Sequence, residues 1–127
     1  MSKVGIYINE GSLIVPIQTD LRNDALEQLQ KDILKTVRET RLRGVIIDLS
    51  GVSLLDTYQA KKIFAIGKMT GLMGTVTVFT GLSAGIVVSL TDLDFDSSEV
   101  LTSINLEEGS KLLKSMKGTT ARTDEGS

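Results

Sequence analysis

The spacing of apolar residues near the start of the chain predicts two short strands. Val4, Ile6 and Ile8 alternate with small or polar residues, and a further apolar stretch, Leu13–Ile17, follows the sequence Asn-Glu-Gly at residues 9–11. Alternation with a period of two is typical of a strand with one buried face, and Asn and Gly favour tight turns. The chain is therefore predicted to begin with a β-hairpin.

Later in the chain, apolar residues recur three or four positions apart in several stretches. The first stretch is Leu21–Arg41, with charged and amide side chains on the opposite face, and the second follows Asp56. A weaker pattern covers Ser83–Thr91, and the last covers Asn105–Met116, which begins with the Asn-Leu-Glu-Glu of a capping box. Because this spacing is typical of amphipathic helices, each stretch is predicted to be helical.

Short apolar runs separate the helices and predict further strands. Val45–Leu49 is continuous, which is typical of a strand buried on both faces of a sheet covered by helices. Thr75–Phe79 predicts another strand, and Val100–Leu101 predicts a short strand at a sheet edge. Strands that alternate with helices imply right-handed crossovers and parallel pairing. We therefore predict an α/β fold with about four helices and a mixed, mostly parallel sheet of roughly four to five strands.

The length and the composition limit the number of domains. The chain has 127 residues, of which 41% are hydrophobic, and both values are ordinary for one compact domain with its own core. Beyond Met116 the residues are mainly Gly, Thr, Ser and charged types, which do not anchor a segment on a core. We expect one domain over residues 1–116 and a flexible tail over residues 117–127.

The charge balance and two missing residue types exclude several functions. The formal net charge is -2 and both signs are mixed along the chain, so nucleic acid is not an expected partner. His and Cys are absent, and these residues supply much of the proton-transfer and nucleophilic chemistry near neutral pH. We expect a protein that has no cofactor and is not an enzyme. The lack of cysteine also fits a reducing compartment.

Neither a membrane segment nor a metal site is predicted. The start of the chain lacks a signal peptide, and no apolar run approaches the ~20 residues that cross a bilayer, so a cytoplasmic protein is expected. Asp92, Asp94 and Asp96 resemble half of a calcium loop. Ser97 stands where such a loop needs Gly, however, and Ser103 stands where it needs Glu. A solvated acidic turn is the prediction.

Polar residues near the end of the central predicted strand are candidates for a binding site. Asp48 ends this strand, where ligands of open α/β sheets often bind, although a carboxylate there can instead cap nearby loop amides. Asp56 is the predicted N-cap of the second helix, which makes Thr57 its first residue. Thr57 is also an ordinary first-turn residue, and Tyr58 is either an anchor for a partner or a cap on a hydrophobic edge.

One segment resembles the signature of a known family. Gly44–Thr57, with the sequence GVIIDLSGVSLLDT, is similar to the signature of STAS domains, the sulfate-transporter and anti-sigma-factor-antagonist family. In that family, a strand ending in Asp-Leu, a short loop and Asp-Ser or Asp-Thr at a helix start mark the regulatory site. The similarity covers nearly all of residues 4–116, and within the family it is greatest to the single-domain scaffold proteins of the bacterial stressosome.

The resemblance implies a regulator that binds other proteins. Such scaffolds pack with related STAS proteins that carry a sensory domain, and they hold a serine/threonine kinase inactive until it phosphorylates the hydroxyl after the Asp. Here that residue is Thr57, and Asp48, Asp56, Thr57 and Tyr58 are the implied partner-binding residues. A second phosphorylation site of the family aligns with Ser89. Because no sensory domain precedes the first strand, the scaffold form is expected.

Two other functions remain open in the same fold. The chain could be a simple antagonist that binds an anti-sigma factor kinase when unphosphorylated, and the kinase captured from a lysate would distinguish this function from the scaffold. It could also bind a nucleotide or another small ligand at the end of the central strand, which calorimetry with GTP and ATP would test. Self-association, as a homodimer or a higher assembly, is expected because a domain this small exposes apolar faces.

Overall fold

A computed structural model describes residues 5–18, 22–93 and 100–126, with side chains up to residue 116. Within these residues the chain forms five strands and four helices. The strands are β1 Tyr7–Asn9, β2 Ser12–Pro16, β3 Gly44–Asp48, β4 Thr77–Thr80 and β5 Leu101–Ser103. The helices are α1 Asn23–Glu39, α2 Thr57–Leu72, α3 Ala84–Asp92 and α4 Leu106–Gly126.

The predicted hairpin is formed by β1 and β2, which pair antiparallel. Asn9 lies opposite Ser12, so Glu10 and Gly11 alone make the turn. Both have positive φ angles, 53° and 84°, as a type I′ turn requires, and the twist of this turn matches that of the two strands. Val4, which the sequence places in the first strand, lies outside the described residues.

All five strands form one sheet in chain order. β2, β3, β4 and β5 pair parallel to one another, and only β1 is antiparallel. The prediction of a mixed, mostly parallel α/β fold is therefore confirmed. β4 begins at Thr77, later than the predicted Thr75, because the Thr75 amide donates to the Thr70 carbonyl at 2.9 Å and closes the end of α2 instead.

Helices cover both faces of the sheet, which explains why β3 contains the continuous apolar run Val45, Ile46 and Ile47. Successive side chains of a strand point to opposite faces, so Val45 and Ile47 belong to the core under α1, α2 and α3, whereas Ile46 belongs to the core under α4. Other side chains of the first core include Val15, Leu29, Ile63, Phe79 and Ile86. The second core consists of Ile14, Ile46, Val78 and Leu113 with partly buried neighbours.

α4 extends further than the sequence predicts. We expected the last helix to end at Met116, but it runs to Gly126. No proline follows Met116, and a single Gly in a helix costs only about 1 kcal/mol, which does not force a helix to end. The predicted helix end is therefore wrong. The flexibility of residues 117–127 stays a prediction, and Ser127 lies outside the described residues.

An ion pair joins the hairpin turn to α4 and gives the first testable prediction. Lys114 Nζ lies 2.9 Å from Glu10 Oε1, and the hydrogen bond and charge of Lys114 lower the pKa of Glu10 from its usual value of 4.5. A carboxylate whose pKa is lowered by folding contributes stability above its unfolded pKa and loses it as the pH falls through the folded value. We expect Lys114→Gln to raise the pKa of Glu10 towards 4.5.

The measurement is an NMR titration of the Glu10 side-chain carboxyl. Lys111→Gln is the matched control, because Lys111 lies one turn away on α4 and pairs with Glu107 and Glu108 instead. Lys111→Gln should leave the Glu10 pKa nearly unchanged. An equal shift in both variants would mean that the general positive charge of α4, and not the direct contact, lowers the pKa.

Candidate functional site

The candidate site is the loop that leads from β3 to α2. Residues 48–52, which form its first part, are hydrogen-bonded to the end of β4. Asp48 is half-buried, and its Oδ1 accepts from the Ser50 amide at 3.0 Å and from the Thr80 hydroxyl at 3.5 Å. The Leu49 amide donates to the Thr80 carbonyl at 2.8 Å. Asp48 thus caps the loop, which was one of its two predicted roles, and a role in binding a ligand or partner stays a prediction.

A turn and a glycine fix the course of this first part. The Val52 amide donates to the Leu49 carbonyl at 2.9 Å, and the Val52 side chain is buried. Gly81, which follows β4, has a φ of 70°, and a Cβ there would lie 2.8 Å from the Ser50 Cβ. A side chain at position 81 would therefore push the loop away from β4.

The loop ends in a capping box at the start of α2. Asp56 Oδ1 accepts from the Gln59 amide at 2.7 Å, and Gln59 Oε1 accepts from the Asp56 amide at 3.1 Å. The reciprocal pair satisfies donors that the first turn of a helix would otherwise leave unpaired. The predicted N-cap is confirmed, and Thr57 is the exposed first residue of α2.

Tyr58 stands beside Thr57 and is connected to α1. Its hydroxyl donates to Glu27 Oε2 at 3.1 Å, and Lys62 Nζ lies 5.5 Å from the centre of its ring. Lys62 Nζ is also 3.8 Å from the same Glu27 oxygen. With 39% of its surface exposed, Tyr58 both packs α2 on α1 and remains accessible next to Thr57, so its predicted role as a partner anchor stays open.

Two exposed apolar side chains lie in the loop from β3 to α2 and on α3, and neither was predicted to be part of the site. Leu54, in the loop, is 72% exposed, and Val88 on α3 is 59% exposed. Val88 lies one turn after Gly85, which approaches the Leu54 side chain. The signal was present in the sequence, because Ile86, Val87 and Val88 are consecutive and a helix of this length cannot bury all three on one face.

Ser89, the second implied phosphorylation site, faces the loop. It is half-buried, and its hydroxyl lies within hydrogen-bonding distance of the Leu55 carbonyl, at 3.3 Å, and of the Gly85 carbonyl, at 3.1 Å. The structure thus brings Ser89 against the residues that lead to Thr57. A kinase would have to displace both contacts to reach this hydroxyl, and its modification stays a prediction.

Neither a metal site nor a membrane span is found among the residues whose side chains the structure describes. Asp92 is the exposed last residue of α3, and Asp94 and Asp96 lie outside the described residues. Across residues 5–18, 22–93 and 100–116, no group of three or more acidic side chains is placed to hold a metal ion. None of the helices described there is both long and apolar enough to cross a bilayer.

A comparison with protein-family models identifies the family. The model of the STAS domain matches residues 3–110, which include all five strands, the loop from β3 to α2 and the start of α4. The chain belongs to the STAS domain family. The resemblance of Gly44–Thr57 to the family signature is thereby confirmed. Membership also confirms the prediction that the chain is a non-enzymatic regulator.

Two curated relatives of this STAS domain are longer proteins. It is 25% identical over 104 residues to the RsbT co-antagonist protein RsbRA of Bacillus subtilis (strain 168), which covers 82% of the chain and 38% of the relative. It is 24% identical over 108 residues to RsbRB of the same organism, which covers 85% of the chain and 39% of the relative. The chain thus spans about two fifths of the length of these relatives.

Solved structures share the fold of this STAS domain over almost its whole length. RsbS from Moorella thermoacetica superimposes with a TM-score of 0.82 at 24% identity, covering 91% of this chain and 97% of that one. A chain of the stressosome, a signal integration and transduction hub, superimposes with a TM-score of 0.79 at 23% identity, covering 88% of this chain and 97% of that one. At these identities the likeness shows the fold alone.

Proposed function

We propose that this STAS domain is a stressosome scaffold of the RsbS type, which sequesters an RsbT-type serine/threonine kinase and releases it when Thr57 is phosphorylated. One observation carries the proposal: Thr57 is the exposed first residue of α2, directly after the Asp56 cap. This is where the family signature places the phosphorylated hydroxyl. The hydroxyl is therefore accessible to a kinase on a backbone that the capping box holds in place.

The start of α2 can accept a phosphate without loss of the fold. A phosphate on Thr57 brings roughly two negative charges to the positive end of the helix dipole, an interaction worth about 1 kcal/mol or less. Phosphorylation therefore changes the surface of the site and not its architecture.

The same phosphate is expected to weaken a docked kinase. The proposed docking surface consists of Asp48, Asp56, Thr57 and Tyr58, and the exposed Leu54 borders it. An interface that closes over this surface has to remove water from a dianion beside the Asp56 carboxylate, and an unpaired buried charge costs far more than the helix gains. Release of the kinase follows.

The proposed partners besides the kinase are other STAS proteins in the cytoplasm. RsbRA and RsbRB are named as RsbT co-antagonists, which supports sensor-bearing RsbR-type paralogues as partners. Self-association into a homodimer and a higher assembly is supported by β1, an edge strand whose Tyr7 and Ile8 side chains are 48% and 51% exposed. Exposed apolar side chains on a sheet edge favour pairing with another chain.

Phosphorylation of Thr57→Ala tests the proposal directly. The chain, an RsbR-type paralogue and an RsbT-type kinase encoded beside it are mixed with ATP, and the phosphorylated residues are mapped by mass spectrometry. We expect phosphate incorporation to fall to background in Thr57→Ala, because the acceptor hydroxyl is gone, and to persist in the control Thr57→Ser, which keeps it.

Two other outcomes of this experiment would count against the proposal. Undiminished incorporation in Thr57→Ala would place the main site elsewhere, and Ser89 is the first residue to inspect in the phosphopeptide map. If the RsbT-type kinase does not phosphorylate the chain, and an anti-sigma factor kinase added in a parallel reaction binds and phosphorylates it, the simple antagonist is the function.

A further inference from the structure

The second part of the loop from β3 to α2, residues 53–55, rests on α3. Ser83, the N-cap of α3, donates its hydroxyl to the Ser53 carbonyl at 2.9 Å. The Ser89 hydroxyl, on the second turn, reaches the Leu55 carbonyl at 3.3 Å. Two carbonyls of the segment that leads to Thr57 thus accept hydrogen bonds from side chains of one short helix.

Gly85 makes the approach of α3 to this segment possible. A Cβ at Gly85 would lie 2.6 Å from the Ser53 carbonyl oxygen and 2.7 Å from Leu54 Cδ2. Real Cβ atoms do not approach backbone oxygens this closely, so α3 or the loop would have to move. Gly85 lies between the two hydroxyls on the helix, and the three residues together form one support, which we call the α3 support: Ser83, Gly85 and Ser89.

The hydrogen bond from Ser89 is a shared one. A serine hydroxyl has one proton, and here it lies between the Gly85 carbonyl of its own helix, at 3.1 Å, and the Leu55 carbonyl of the loop, at 3.3 Å. A bond to the carbonyl four residues earlier is a common local alternative for serine in helices. The hydrogen bond from Ser89 to the loop is therefore weak, and removing it is a milder change than adding a Cβ at Gly85.

We propose that the α3 support positions the Thr57 hydroxyl for phosphoryl transfer and that Ser83, Gly85 and Ser89 are positioning residues for this step. The inference rests on the proposed function, since it concerns the same acceptor. Leu55 precedes the N-cap Asp56 directly, so a shift of the loop is passed to the capping box and to Thr57. Phosphoryl transfer depends on the alignment of attacking and leaving oxygens, and small misplacements cost large factors in rate.

Amide exchange of Gly85→Ala tests the positioning without any kinase. The amides of Asp56, Gln59 and Ala60 donate the hydrogen bonds that close the first turn of α2. We expect their exchange, followed by NMR, to become about tenfold faster, a loss of protection typical of local opening. Gly71→Ala is the matched control, because Gly71 is also in a helix and a Cβ there meets nothing within 4 Å.

Kinetics of Ser89→Ala test the effect on the reaction and use a milder change. With the RsbT-type kinase and ATP, we expect kcat for phosphorylation of Thr57 to fall by about tenfold while KM stays within about twofold, because the docking surface is intact and only the acceptor is displaced. Ser89→Thr should restore kcat, since it keeps the hydroxyl. Thr91→Ala, which removes a hydroxyl that bonds only within α3 at Val87, should leave both constants unchanged.

Failure of this inference can be told apart from failure of the proposed function. Unchanged amide exchange in Gly85→Ala overturns the positioning role, whether or not a kinase acts on Thr57. Equal losses of kcat in Ser89→Ala, Ser89→Thr and Thr91→Ala overturn it as well, because they would reflect a general weakening of α3. A parent chain that no kinase phosphorylates at Thr57 overturns the proposed function and leaves the exchange result standing.

Discussion

We expect Thr57→Asp to lower the affinity for the RsbT-type kinase by about tenfold or more. A tenfold loss corresponds to about 1.4 kcal/mol. The new carboxylate at position 57 would lie next to the carboxylate of Asp56. The Gln59 amide already donates to Asp56 Oδ1, so this amide is not free to bind the new carboxylate. A kinase that covers this surface has to desolvate the added charge, and the penalty for an unpaired charge at an interface exceeds 1.4 kcal/mol.

The fold of Thr57→Asp should remain intact. An acidic residue in the first turn of a helix complements the dipole by a few tenths of a kcal/mol, which is negligible beside a domain stability of about 5 to 15 kcal/mol. Thr57 is exposed, so the substitution creates no cavity. Thermal unfolding of the variant should therefore match that of the parent.

Thr57→Asn is the matched control for this prediction. Asn has nearly the shape of Asp and no charge, so it separates electrostatic repulsion from a change of shape. Affinity is measured by calorimetry or surface-based binding beside a melting curve for each variant. Equal affinities of Thr57→Asp and the parent would contradict release by charge, and a large loss of melting temperature would identify Thr57 as a packing residue.

We expect Leu113→Ala to lower the free energy of unfolding by about 2–5 kcal/mol, a larger loss than any Thr57 variant should show. Leu113 is 1% exposed and belongs to the small core that α4 forms with Ile14, Ile46 and Val78. It packs so closely over β3 that a Cβ at Gly44 would lie 2.6 Å from Leu113 Cδ2. A core of so few side chains has little capacity to collapse into the cavity.

Leu112→Ala provides the comparison, because Leu112 is next in sequence, equal in size and only partly buried. Urea unfolding, monitored by circular dichroism, should give a clearly smaller loss for Leu112→Ala. If both variants lose the same free energy, the side chain of Leu113 is not the main attachment of α4 to the sheet.

The parts of the site that depend on local signals could be predicted from the sequence. An N-cap needs only a carboxylate before an apolar helical pattern, and Asp56 with Gln59 supplies it, so the start of α2 was located to the residue. The hairpin turn was found for the same reason, since Glu10 and Gly11 determine it locally. The alternation of strand and helix patterns along the sequence was sufficient to predict an α/β fold with a mostly parallel sheet.

Contacts between distant segments could not be predicted in this way. Ser83 and Ser53 are 30 residues apart, and Ser89 and Leu55 are 34 apart, so no periodicity relates them. The small size of Gly85 matters only because another backbone passes it closely. The end of α4 was missed for a different reason: the residues after Met116 contain no strong stop signal, and their composition alone favoured a flexible tail.

The order of the strands bears on how the protein is made. Each strand after β1 pairs with the strand before it in the chain, so during translation each of these four strands finds a partner that is already synthesised. α4 follows all five strands, and until it is synthesised the side chains of Ile14, Ile46 and Val78 lack the cover that Leu113 provides. A chain cut short before Leu106 would expose these apolar side chains, and chaperones and quality-control proteases recognise exposed apolar surface of this kind.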